Sequence, residues 1–152
     1  MTLLPLLLQT AAPVACATPA TLPSALSGWQ RPQAEAGGLL AEGRAYRLVL
    51  ARQGAVRFAV PPVRAAVPGA FAVARGFAVM RAGVYRVALD SGAWVDVVRE
   101  GRAIAPAAHR HGPACSGIRK SVDFRLPPGG YLLQLSGARR PGATVMVARI
   151  GD

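Results

Sequence analysis

Both histidines of the chain, one of its two cysteines and three of its cations fall in residues 109–120, His-Arg-His-Gly-Pro-Ala-Cys-Ser-Gly-Ile-Arg-Lys. Three chemistries are open to that composition. His109 and His111 alternate, so an extended backbone sets both imidazoles on one side. They could ligate iron, copper or zinc, but two ligands are not a site. A third would have to come from Asp96, Glu100, Asp123 or a reduced Cys115. Arg110, Arg119 and Lys120, with the amides of a glycine-containing loop, could instead hold phosphate, sulfate or carboxylate. The plainest alternative is a structural loop pinned by Cys115, with solvated histidines. The proline, two glycines and serine predict a loop between strands.

Other chemistries find little support. Ser116, His111 and Asp123 could be named as a triad, yet no G-x-S-x-G elbow surrounds the serine. A cysteine held in a bridge is not a nucleophile. Seven acids leave few carboxylate pairs for glycosidase chemistry. Neither a P-loop nor a dinucleotide fingerprint is present.

Any such site has to be positioned by the rest of the chain, whose 152 residues suit one domain. It is 52% hydrophobic and 16% charged, far from the composition of disorder. Two cysteines exclude a disulfide-dense scaffold and an all-cysteine zinc site. No run reaches the ~20 apolar residues of a spanning helix. From residue 44 onward, short period-2 runs recur at 44–50, 55–60, 70–80, 84–89, 94–98, 121–126, 131–136 and 143–150. Gly76 marks a bend or bulge in one of them, and Gly/Pro turns separate the rest. The pattern predicts an all-β fold, a single antiparallel β-sandwich or jelly-roll-like domain of about eight short strands over residues 44–152.

The N-terminus has a different character. No charge precedes Arg31, and an apolar run at 3–8 is followed by small residues. Residues 1–15 read as a signal peptide without the usual basic start, and Pro5 and Pro13 argue against a buried helix. Residues 16–43 read as an extended segment with Trp29 as an anchor on the core. Cleavage after Ala17 would leave Cys115 alone in an oxidising compartment. Cleavage after Ala15 keeps Cys16 and permits a Cys16–Cys115 disulfide, which is the preferred reading. Acylation of Cys16 is a third route, although Pro13 stands where a lipobox has leucine. The implied location is periplasmic or secreted, without a transmembrane segment in the mature protein.

The run 85–98, Tyr-Arg-Val-Ala-Leu-Asp-Ser-Gly-Ala-Trp-Val-Asp-Val-Val, carries a resemblance, as do residues 108–120, 122–124 and 131–136. Together they resemble a family of short secreted bacterial proteins that often carry the name homogentisate 1,2-dioxygenase. The likeness covers roughly residues 14–150 and includes the Cys16 segment. It implies an iron-dependent ring-cleaving enzyme, with His109, His111 and one acid on the metal. The turn at 127–130 and the following Tyr131 look like the closing hairpin of pre-peptidase-type sandwich modules, which are accessory rather than catalytic.

Eighteen Lys+Arg against seven Asp+Glu give a formal charge of +11, and seventeen of the cations are arginine. They are spread along the chain, and several, such as Arg47, Arg57, Arg86 and Arg125, lie opposite apolar positions of their runs. That favours solvated sheet faces over a nucleic-acid groove, with weak attraction to anionic envelope surfaces. The expectation is a secreted or periplasmic, non-catalytic binding or accessory protein with no cofactor. Its partner would be an anionic small molecule or the cell-envelope surface. The alternative is the dioxygenase-like enzyme with one iron, copper or zinc ion.

Overall fold

Alternating side chains need two surfaces to bury their apolar halves, and two stacked sheets supply them. A computed structural model describes residues 15–65 and 67–152; thus, apart from Ala15, the expected signal peptide lies outside the described residues. Twelve strands form: β1 (Gln33–Ala34), β2 (Leu39–Leu40), β3 (Ala45–Val49), β4 (Ala51–Arg52), β5 (Phe71–Val79), β6 (Gly83–Leu89), β7 (Trp94–Arg99), β8 (Arg102–Ala103), β9 (Ala108–His111), β10 (Lys120–Leu126), β11 (Gly129–Ala138) and β12 (Gly142–Gly151). The first sheet runs β1-β3-β12-β6-β10-β9. The second runs β2-β5-β11-β7-β8, with β4 also on β5.

The fold is the expected all-β sandwich, and all its long pairings are antiparallel. Two short parallel pairs, β1–β3 and β2–β5, make both sheets mixed. They arise because residues 33–40 lay one dipeptide along each sheet. Between the sheets lies a core that includes Phe77, Tyr85, Leu89, Val97, Phe124, Leu133, Leu135 and Val145. Burying each such side chain contributes roughly 1.5–3 kcal/mol before the cost of ordering it.

Each sheet also carries a second layer on its outer face. On the first sheet, a 3-10 helix (Ser24–Gln30) places Leu26 and Trp29 against Ala45, Ala88, Met146 and Ala148. The three alanines leave room for the helix to approach. Trp29 is the anchor that the sequence suggests: it is 5% exposed and its Nε1 donates to the Ser116 carbonyl at 2.9 Å.

On the second sheet the cover is residues 56–65 and Val67. Residues 55–60 do not form the expected strand. Their alternation is real, since Val56, Phe58 and Val60 are half-buried and their neighbours exposed. The Ala59 and Val60 amides instead donate to Gln134 Oε1, and Gln134 Nε2 donates to the Val60 carbonyl. A buried glutamine side chain thereby takes the place of a strand neighbour. Gly76 likewise is neither bend nor bulge: it lies within β5, where a Cβ would come 2.8 Å from Leu39 Cδ2. It is the gap that lets β2 pack there.

Candidate anion-binding site

The segment 109–120 is not one loop. Ala108–His111 forms the edge strand β9, registered against β10 with His109 opposite Val122 and His111 opposite Lys120. Residues 112–119 make the connection. Gly112 is required there, because a Cβ would meet the Ile118 carbonyl oxygen at 1.8 Å. Its amide donates to the Arg119 carbonyl, and the Arg119 amide to the Leu89 carbonyl at 2.7 Å. The Ser116 amide donates to the Pro113 carbonyl and the Ile118 amide to Ser116 Oγ. Those loop amides are engaged internally, so they do not form the anion cradle that the glycines suggest.

The N-terminal segment is tied to this connection three times. Cys16 and Cys115 form a disulfide with Cα atoms 5.6 Å apart. The Ala20 amide donates to the Cys115 carbonyl at 3.2 Å, and Trp29 makes the bond described above.

The functional candidates of the segment go three ways. His109 and His111 share one face of β9, as their spacing requires, and both are exposed. Asp123 pairs with Ala108 and so projects from the opposite face. Asp96 and Glu100 belong to β7 and the turn after it, in the other sheet. Cys115 is bridged. Among the described residues no group of three His, Cys, Asp or Glu is assembled. As placed, the histidines do not make up the three-ligand set that an iron site of this kind needs.

Arg110 turns to the outer face of the first sheet, where its Nε lies 3.5 Å from Asp123 Oδ2. Asp123, with a side chain 4% exposed, also receives two hydrogen bonds from Arg86 at 2.8 and 2.9 Å. The fork geometry holds the Arg86 proton above its ordinary affinity, the hydrogen bond to Asp123 being the main cause. Arg110 therefore leaves the trio proposed from sequence.

Arg119 and Lys120 remain together and gain company. At the end of the sandwich where β6 turns into β7 and β11 into β12, a cavity of about 620 Å³ is lined by Arg64, Arg119, Arg139 and Arg140. A neighbouring one of about 290 Å³ adds Trp94 and Lys120 and shares Arg64, Val67, Gly92 and Gly137 with the first. Arg64 Cζ lies 5.1 Å and Lys120 Nζ 5.8 Å from the Trp94 ring centroid. Lys120 is half-buried because its cross-strand partner Leu89 aims it at the end of the core. Burial lowers its pKa below the usual 10.5, with Arg64 and Arg119 adding repulsion.

None of the five cations has an acid within ion-pair distance among the described residues; those pairs belong to Arg75, Arg81, Arg86, Arg99, Arg110 and Arg149. Beneath Trp94, Asp96 Oδ1 accepts from its Nε1 at 3.1 Å, while Oδ2 is buried without a partner. Burial raises the pKa of Asp96, against the hydrogen bond from Trp94.

Arg64, Arg139 and Arg140 are not among the residues picked out from sequence. Arg139-Arg140, adjacent in the turn between the last two strands, was the one local signal. Arg64 had none. No family model, curated protein or solved structure matches the chain.

Proposed function

We propose that the chain is a secreted or periplasmic, non-catalytic binding module whose ligand is an anion held in the Arg64, Arg119, Lys120, Arg139 and Arg140 cleft. The observation that carries this reading is the convergence of five cations from three chain segments on two adjoining concavities, neither lined by an acid among the described residues; Asp90, which borders Arg140 on its other side, makes no ion pair with it. Like charges held together raise the energy of the empty cleft, and a phosphate, sulfate or carboxylate group lowers it. Arginine forks suit such groups through paired hydrogen bonds, and Trp94 offers an apolar floor. The Cys16–Cys115 bridge supports an oxidising compartment and a mature chain that retains Cys16.

Calorimetric titration of the mature chain with inorganic pyrophosphate tests the reading. Binding should weaken steeply with salt and fall at least tenfold in Arg119→Ala/Arg140→Ala. Arg125→Ala, at the far end of β10 from Lys120, should leave it unchanged. No binding, or an equal loss in the Arg125 variant, would falsify it.

A further inference from the structure

The cleft has an apolar rim that a dissolved anion would not use. Val63 is 71% and Val67 63% exposed, and they flank Arg64 in the chain. Val67 also lines both cavities of the cleft. These are two of only six exposed large apolar side chains among the described residues. The backbone leading to them is fastened at Ala59 and Val60. Gln134 holds Ala59 and Val60, and Pro61 and Pro62 follow. Arg64 is further held over the Trp94 ring.

Resting on the anion reading of the cleft, we infer that its ligand is the headgroup of an anionic lipid and that this end of the sandwich docks on a bilayer surface. The five cations meet the lipid phosphates, while Val63 and Val67 enter the boundary between headgroups and acyl chains. Charge complementarity selects an anionic surface, since among the described residues no acid lies at ion-pair distance from either part of the cleft. The valines separate a lipid from a free phosphate, because only a lipid supplies an apolar phase beside its charge.

Co-sedimentation of the mature chain with phosphatidylglycerol/phosphatidylcholine vesicles, beside pyrophosphate titration, tests the inference. The chain should bind these vesicles and not pure phosphatidylcholine. Val63→Ser/Val67→Ser should lower vesicle affinity about tenfold and leave pyrophosphate binding unchanged, as expected for two small apolar side chains returned to water. Arg119→Ala/Arg140→Ala should lower both. Pyrophosphate binding without vesicle binding would overturn the lipid inference and leave the cleft standing. Vesicle affinity indifferent to the valine changes would also overturn it. Failure to bind either would remove both readings. The valines are solvent-exposed, so unchanged melting of the variant verifies that affinity and not folding is being read.

Discussion

Two arginine clusters sit at different places on this sandwich, and they differ by one carboxylate. On the outer face of the first sheet, Asp123 is gripped by Arg86 and approached by Arg110. Its charge is closed within the protein, in a layer shared with Ala148 and the helix bearing Trp29. At the end of the sandwich, Arg64, Arg119, Lys120, Arg139 and Arg140 converge with no acid at ion-pair distance among the described residues. In a chain with eighteen cations and seven acids, the position of an acid decides whether an arginine group serves structure or is left to take a ligand. Arg110 and Arg119 are near in sequence and fall on opposite sides of that division.

The disulfide sets the largest expected effect. Cys16 and Cys115 are 99 positions apart in the sequence, and Cys16→Ser/Cys115→Ser should lower stability to urea by about 4 kcal/mol. Pyrophosphate affinity of the folded remainder should persist, because Arg119 is pinned to Leu89 independently of the bridge. Loss of both together would break the division between a structural loop and a binding cleft.

Asp123→Ala is next. It leaves Arg86, with a side chain 15% exposed, without its partner, at a cost of about 3 kcal/mol in urea unfolding. Arg119→Ala/Arg140→Ala should change stability by under about 0.5 kcal/mol, as ordinary surface substitutions do. Similar losses in the two variants would mean that the clusters are not different in kind.

The smallest effect is on pH dependence. The empty cleft disfavours the Lys120 proton, so its folded pKa lies below 10.5 and a bound anion raises it again. Anion affinity should therefore hold at neutral pH and decline, by about tenfold at most, as pH rises through the window beneath 10.5. Lys120→Arg keeps its charge through that window and should flatten the decline. An identical decline in both proteins would detach Lys120 from the cleft.

Much of the sandwich was legible from local alternation. The runs at 44–50, 70–80, 84–89, 94–98, 121–126, 131–136 and 143–150 became β3, β5, β6, β7, β10, β11 and β12. The run at 55–60 shows where that inference stops. Period-2 burial reports that one face of a segment meets an apolar surface, not that its backbone finds a strand partner. The two-residue strands β1, β2, β4 and β8 are too short to leave a period. In the site, alternation put His109 and His111 on one side, as β9 does, but Arg110 was grouped with Arg119 and Lys120. What the alternation lacked was the Asp123 partner of Arg110, which pairing with β10 supplies.

The sequence by itself determined the all-β class and most core positions, because a period of two is a property of the local backbone. It also determined that cations exceed acids and that Cys16 could meet Cys115. Only the tertiary structure decided which charges meet. Strand pairing gave Arg86 and Arg110 to Asp123. The turn from β11 to β12 and the cover held by Gln134 brought Arg139, Arg140 and Arg64 to Arg119 and Lys120. Those residues are far apart along the chain, and attraction or repulsion between charges depends on distance in space.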